Sequence, residues 1–209
     1  IRSQRRFTYE EAQEIIETGK GDHAEAILTL HRLAQKLRAR RFEVGSIAFD
    51  RPEVRFELDE EGKPLSVYIK ESKPAHQLIE EFMLLANRTV AERIGKPAFV
   101  YRIHEAPDEE KLRGLSDYVR RFGYKLKVEG GSSVIAKSLN ALLADIKGKP
   151  EEDMLTMLAI RSMAKARYTT THIGHYGLGF DSYTHFTSPI RRYPDLMVHR
   201  LLTRYLIEG

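Results

Sequence analysis

Apolar residues change their spacing twice along the first half of this 209-residue chain, and this change restricts the fold more than any other feature. After Asp22 they recur at every third or fourth position, as in a helix with one buried stripe (Ile27, Leu30, Ala34 and Leu37). From Gly45 the period becomes two, and the runs 54–58 and 65–69 predict two strands joined by a hairpin loop at 59–63. Residues 75–94 return to helical spacing with a wide apolar face.

Shorter elements of both kinds surround these four. A capping-box pattern opens a first helix at Thr8–Glu11. We predict a strand over 97–104, an alternating run at 124–128, helices over 108–122, 134–146 and 151–167, and a terminal helix that follows Asp195. Helices mixed with hairpin-type strands predict an α+β fold, with helices packed on a mostly antiparallel sheet. The length supports one substantial core, so we predict one domain over 1–209.

Composition narrows the class of protein. The net charge of +4 is compatible with a polyanionic partner and does not require one. The absence of cysteine excludes disulfides and cysteine-ligated zinc, and it agrees with a reducing compartment. No apolar run approaches the roughly 18 residues of a membrane span, and the charged start lacks the hydrophobic region of a signal peptide. We therefore expect a cytoplasmic protein without a membrane partner.

The segment 175–195 is not built like a core, since glycines, hydroxyl groups, aromatic rings and two adjacent arginines occur together. Ser188 suits a helix N-cap and Pro189 the first helical position. Free amides at that helix start, together with Arg191 and Arg192, predict an anion site, most simply for phosphate.

Pro194 and Asp195, which follow the two arginines, predict that this turn is separate from the terminal helix. Pro194 would break a continuous helix through this region. Asp195 follows it and suits the N-cap of the terminal helix.

The same segment resembles the closing signature of the catalytic (RNB) domain of the ribonuclease II/ribonuclease R family. The matching strings are HYGLGF at 175–180 and HFTSPIRRYPD at 185–195. The latter string follows the ribonuclease R branch of the family almost residue for residue. Similarity extends back through LIEEFM at 78–83 and GSIAF at 45–49 to RRFTY at 5–9, so it covers essentially the whole chain. Members of this family are hydrolytic exoribonucleases that digest RNA from the 3′ end.

The resemblance implies a function and partners. We expect processive hydrolysis to nucleoside 5′-monophosphates, a single-stranded RNA 3′ end as partner and a monomeric parent enzyme. The main alternative is a non-catalytic RNA-binding protein with a degenerate RNB domain, and a second is a purely structural module.

The resemblance assigns the phosphate to Arg191, whose guanidinium would stabilise the charge that builds as water attacks. Arg192 contacts a neighbouring phosphate or is structural. Ser188 and His175 are expected in the same substrate-binding region, with His175 supporting the phosphate turn. A surface arginine at a helix start is the ordinary alternative for Arg191.

Three residues earlier in the chain are expected to read the terminal nucleotides. Tyr9 and Glu80 match family positions beside the terminal nucleotide and its 2′-hydroxyl, and Phe49 matches an aromatic residue that clamps bases by stacking. The ordinary alternatives are a half-buried anchor for Tyr9, a solvated helix edge for Glu80 and a core residue for Phe49. Asn87, seven residues after Glu80, shares its helix face.

A metal site in this chain is not expected. The histidines at 172, 175, 185 and 199 lack the spacing of zinc motifs. The family holds Mg²⁺ with aspartates upstream of the matched part, and no dense aspartate motif occurs here. Since the chain starts with Ile1, we expect a fragment without those aspartates and without the flanking OB-fold modules, inactive by itself.

Overall fold

The structure, a computed structural model, describes residues 2–49, 53–70, 72–94 and 98–206. The chain forms two compact units, the first made of residues 1–38 and 50–82 and the second of residues 39–49 and 83–209. The first unit contains α1 (Tyr9–Thr18), β1 (Glu53–Leu58) and β2 (Pro64–Lys70). The helices α2 (Ala24–Val44) and α3 (Pro74–Ile94) each contribute residues to both units.

In the first unit, α1 is defined by its two ends. The predicted capping box is confirmed, because the Glu11 amide donates to Thr8 Oγ1 at 3.1 Å and the Thr8 amide donates to Glu11 Oε2 at 2.7 Å. Gly19 ends the helix in the left-handed conformation, with φ of 70°. Gln13 of α1 is buried and accepts the Ala75 amide at 3.0 Å, so α1 satisfies a free donor at the start of α3.

The predicted hairpin is confirmed, although its apolar side chains are more exposed than those of a sheet with one buried face. β1 and β2 pair antiparallel with Phe56 opposite Val67, and Asp59 accepts the amides of Glu61 and Lys63 in the loop. The apolar side chains of the two strands are all more than half exposed (Val54, Phe56, Leu58, Leu65, Val67 and Ile69). The alternation therefore predicted the strands correctly, while the described residues of the unit leave the apolar side chains uncovered.

The second unit contains most of the buried side chains. Its elements are β3 (Tyr101–Ile103), α4 (Glu109–Arg120), α5 (Ser132–Ile146), α6 (Glu152–Ser162), β4 (Arg167–Thr169) and α7 (Tyr193–Leu206). One core cluster joins α4, α5 and α6 around Val119, Leu139 and Leu155. A second cluster joins the end of α3, β3 and α7 around Phe99 and Val198.

The α+β class with antiparallel strands is confirmed, but the strands are fewer than predicted. Within the described ranges they form two separate two-stranded sheets, β1–β2 and β3–β4, and not one sheet beneath the helices. The alternating run 124–128 is not a strand, because side chains take its backbone groups: Ser116 donates to the Leu126 carbonyl and Ser138 accepts the Lys127 amide. Of the strand predicted over 97–104, β3 is observed, while Pro97 lies outside the described residues. Over the ranges that are described, no helix is long and apolar enough to cross a membrane.

Candidate functional site

The segment between β4 and α7 forms two turns, and the first, residues 174–180, is closed by backbone hydrogen bonds. The His175 amide donates to the Phe180 carbonyl at 2.8 Å, and the Tyr176 amide donates to the His104 carbonyl at 2.8 Å. The Gly177 amide donates to His104 Nδ1 at 3.0 Å. A Cβ atom at Gly177 would lie 2.8 Å from that nitrogen, so close approach of the imidazole requires glycine here.

His104 is a residue of this region that the sequence analysis missed. Its Nε2 lies 2.8 Å from the Ala164 carbonyl, which can only accept, so Nε2 carries the proton and Nδ1 accepts from Gly177. Burial lowers the pKa of His104, and the nearby Arg102 acts in the same direction, so the neutral tautomer persists. Nothing in the local sequence marks this role, because Ala164 and Gly177 are distant along the chain.

The second turn, residues 188–192, contains the two arginines. The amides of Arg191 and Arg192 both donate to the Ser188 carbonyl, at 3.3 and 3.1 Å. The turn is not continued, so the prediction that Ser188 and Pro189 start a helix is wrong. A helix through this region would require Pro194 to donate an N–H that it lacks. The predicted separation of the turn from the terminal helix is confirmed, since α7 begins at Tyr193.

Asp195 fixes the shape of this second turn. The prediction that it caps α7 is wrong, since it lies inside the first turn of α7 and is fully buried. Its Oδ1 accepts the Ser188 amide at 2.7 Å and Arg192 Nη2 at 3.0 Å, and its Oδ2 lies 3.0 Å from Arg192 Nε. The Asp195 carboxylate is thus directed toward residues that precede α7, since both of its partners, Ser188 and Arg192, lie before the helix. This arrangement fits the structural alternative for Arg192.

Arg191 differs from its neighbour in having no acidic partner. Its side chain is exposed, and its closest polar contact is a long one of 3.5 Å from Nη2 to Ser188 Oγ. Within the described part of the chain it forms no ion pair. The turn therefore presents a guanidinium group whose donors remain available to a ligand.

Asn87 supports the approach to the second turn from α3. It is buried, its Oδ1 accepts the amides of Phe186 and Thr187 at 2.9 and 3.2 Å, and its Nδ2 donates to the Tyr183 hydroxyl at 3.1 Å. His199 of α7 stacks on the Phe186 ring at 4.2 Å between centroids. Asn87 is thus engaged inside the protein, and its role here is to position the chain before Ser188.

Histidine and tyrosine rings pack against one another in this region. The ring of His175, a residue of the first turn, packs against the rings of His104 and Tyr183, with centroids 5.0 and 5.3 Å apart. Burial, reinforced by His104, lowers the pKa of His175 to about 3. Burial and the nearby Arg192 lower the pKa of His185 to about 4. These imidazoles are therefore neutral at physiological pH and act through hydrogen bonds and ring contacts.

The residues present do not fit a magnesium site. No group of three or more His, Cys, Asp or Glu side chains that could hold a metal ion occurs among the residues that the structure describes. Asp195, the buried acid of the second turn, already has its oxygens engaged by Ser188 and Arg192. Magnesium requires several converging oxygen ligands, and this part of the chain does not offer them.

Phe49 lies at the end of a segment that several side chains restrain. The Ile47 amide donates to the Gly177 carbonyl at 2.9 Å. Asn140 of α5 accepts the Ala48 amide at 2.9 Å and donates to the Ser46 carbonyl at 2.7 Å. The Phe49 ring is half-buried against the α4–α6 core, which fits the core alternative and leaves base stacking as a prediction.

Tyr9 and Glu80 lie in the first unit, Tyr9 at the start of α1 and Glu80 in α3. The Tyr9 ring stacks on His76 at 4.2 Å with an interplanar angle of 15°, and Glu80 follows His76 by one turn of α3. Glu80 Oε1 lies 3.8 Å from Arg38 Nη1. The structure thus packs the Tyr9 ring against α3, the helix that carries Glu80, and Glu80 forms an ordinary ion pair with Arg38.

Comparisons with known proteins agree with these motifs. The family described as RNB domain matches residues 1–208. Ribonuclease R of Aquifex aeolicus is 42% identical over 99% of this chain, which spans 30% of that protein. The structure of Mycoplasma genitalium RNase R in complex with ribose methylated single-stranded RNA is similar with a TM-score of 0.86 at 28% identity, covering 96% of this chain and 32% of that one.

A further solved structure shares this fold, but its protein is not described as a ribonuclease. Yeast Ssd1, described as a pseudonuclease, matches with a TM-score of 0.69 at 23% identity over 97% of this chain and 25% of its own. At this identity the likeness shows the fold alone. The family match over nearly every residue, together with the ribonuclease R relative, shows that this chain belongs to the RNB family.

Proposed function

We propose that this chain is part of the catalytic domain of a hydrolytic exoribonuclease that degrades single-stranded RNA processively from the 3′ end to nucleoside 5′-monophosphates. Family membership supports the reaction class, and the Mycoplasma relative is described with bound single-stranded RNA. The chain spans about a third of the length of that relative, so this activity is proposed for the whole parent protein.

The observation that carries the proposal is the guanidinium of Arg191, which forms no ion pair with the described residues and stands on a turn that Asp195 anchors. Asp195 anchors the turn through Ser188 and Arg192, so the backbone that carries Arg191 does not have to reorganise when substrate arrives. When water attacks a phosphodiester, negative charge builds on the phosphoryl oxygens. A preorganised donor aimed at that charge stabilises the transition state more than the ground state. Arginine suits this task because its planar fork matches two phosphate oxygens.

Recognition of the terminal nucleotides is proposed for Tyr9, Glu80 and Phe49. The Tyr9 ring is 43% exposed, so a base or sugar can reach it, and Glu80 offers an acceptor one turn beyond His76. Such an acceptor distinguishes ribose from deoxyribose through the 2′-hydroxyl. Phe49 would supply a stacking face at the end of the segment that Asn140 restrains.

Magnesium belongs to this proposal as a cofactor of the parent. Its ligands are expected outside this chain, because the described residues offer no set of converging carboxylates. We propose that the isolated chain binds RNA and does not hydrolyse it.

The second candidate function is RNA binding without catalysis. The fold likeness to Ssd1 shows that this architecture also occurs in a protein described as a pseudonuclease. Intact metal-binding aspartates upstream in the parent favour the enzyme, and substituted ones favour the binder.

The two candidates are separated by incubating the parent protein with 5′-labelled single-stranded RNA and magnesium. The enzyme shortens the labelled strand progressively and releases nucleoside 5′-monophosphates. A strand that is bound and remains at full length would support the non-catalytic function. The isolated chain serves as a control, since mononucleotide release that stops on chelation would show that the metal site lies within it.

A further inference from the structure

Arg102 of the second unit combines partial burial with the absence of an ion pair among the described residues. Arg102 lies in β3, opposite Tyr168 of β4, and its guanidinium carbon stands 4.7 Å from the centroid of the Tyr168 ring. The side chain is half-buried, and it forms no ion pair with any residue that the structure describes. A partly buried cation without a counter-charge is costly, and the aromatic face offsets only part of that cost.

The tyrosine on which this guanidinium stacks is hydrogen-bonded to a histidine. The Tyr168 hydroxyl lies 2.6 Å from His185 Nδ1, and the two rings meet edge to face at 5.6 Å between centroids. The ring of Tyr183 contacts His185 on another side, also at 5.6 Å. When the Tyr168 hydroxyl donates to Nδ1, the single proton of the neutral imidazole lies on Nε2, where it can be donated to a ligand.

The charges around His185 are mostly positive. Arg192, Arg102 and Arg191 all act electrostatically on its ring, and Asp195 is the acid that opposes them. Asp195 is already paired with Arg192. Among the described residues, the guanidinium groups of Arg102 and Arg191 therefore have no counter-charge, and both act on the same imidazole. Such an arrangement favours an anion, and planar donors favour the tetrahedral oxygens of phosphate.

We propose that Arg102, together with Tyr168 and His185, forms a phosphate-binding position in addition to the one at Arg191. The inference rests on the proposed function in one respect, namely that the phosphate belongs to an RNA backbone. The same chemistry would accept free inorganic phosphate, so the experiment treats the two sources separately.

The RNA arm measures the affinity of the 209-residue chain for a single-stranded oligoribonucleotide over a series of salt concentrations. The slope of log affinity against log salt is negative, and each lost phosphate contact reduces its magnitude by about 0.7 for single strands. Arg102→Gln should weaken binding about tenfold at low salt, as expected for one charge-assisted hydrogen bond, and should reduce the magnitude of the slope by about that amount. Arg120→Gln is the matched control, because Arg120 is exposed on α4 and pairs with Asp117 at 3.5 Å. A slope for Arg102→Gln equal to that of the control would overturn the site.

Arg102→Lys separates a binding role from a folding role. It keeps the charge and loses the planar stack on Tyr168, so the salt slope should remain while the affinity falls a few-fold. A slope reduced as in Arg102→Gln, in a chain that circular dichroism shows to be folded, would contradict a phosphate contact by charge.

The phosphate arm follows the His185 ring signals by NMR as inorganic phosphate is added. Saturable shifts in the wild-type chain that disappear in Arg102→Gln support the site. Wild-type signals that do not move overturn it. A chain that binds phosphate here and has no affinity for RNA would sustain the anion site and contradict the proposed function.

Discussion

The two turns between β4 and α7 are both fixed from inside the protein, yet they leave different groups free. In the turn 174–180, His104 and backbone partners engage the amides, and a glycine allows the imidazole to approach. In the turn 188–192, a buried carboxylate engages one arginine and leaves the other exposed. A fixed backbone is therefore common to both turns, whereas a charge without an ion pair among the described residues distinguishes the turn proposed to bind substrate.

The largest expected effect comes from removing the charge that anchors the second turn. Asp195→Asn leaves the Arg192 guanidinium, whose side chain is only 20% exposed, without its counter-ion. Breaking a buried pair in this way costs about 3 kcal/mol or more in the free energy of unfolding. Urea unfolding of the chain measures it, with Asp181→Asn, an exposed acid of the same segment, as control. Equal stabilities of the two variants would show that Asp195 does not anchor the turn.

A smaller effect is expected from crowding the first turn. Gly177→Ala places a methyl group 2.8 Å from His104 Nδ1, which should cost about 1–3 kcal/mol in the free energy of unfolding. Gly114→Ala is the matched control, because Gly114 lies in α4 with open space around it and alanine favours a helix.

The cause of that loss can be isolated by a double mutant. In a His104→Ala background the methyl group meets no imidazole, so Gly177→Ala should cost less there. A cost that is the same in both backgrounds would mean that His104 is not what requires glycine at this position.

The smallest effect expected is the response of the first turn to acid. The pKa of His175 is about 3 in the folded chain, against an ordinary value of 6.5. Between these values the unfolded chain takes up a proton that the folded chain does not, so stability falls as the pH drops. We expect a loss of about 1–2 kcal/mol from this residue between about pH 7 and about pH 5.5. Comparing unfolding of the wild type and His175→Asn at both pH values checks this, and an equal pH dependence would refute it.

How far the sequence could predict this molecule depended on the distance between interacting residues. The capping box at Thr8, the hairpin loop at 59–63 and the α3 helix follow from neighbours in the chain, and all were predicted. The run 124–128 misled because alternation does not provide a partner strand, and side chains took its hydrogen bonds instead.

The candidate site was predictable in its residues more than in its construction. Arg191 and Arg192 were recognised from the motif. The division of roles between them depends on Asp195, because its carboxylate contacts Ser188 and Arg192 only in the folded turn. The contributions of His104, Asn87 and Arg102 could not be predicted, since their partners lie about 60 to 100 residues away.

In the proposed reaction, Arg191 acts on the charge of the transition state. The most direct measurement is single-turnover hydrolysis by the parent protein, alongside its RNA affinity, for the wild type, Arg191→Ala and Arg191→Lys. We expect Arg191→Ala to lower the rate about a hundredfold with a much smaller change in affinity, and Arg191→Lys to restore the rate only in part. A loss of affinity that accounts for the whole effect, with the rate on bound RNA unchanged, would contradict it.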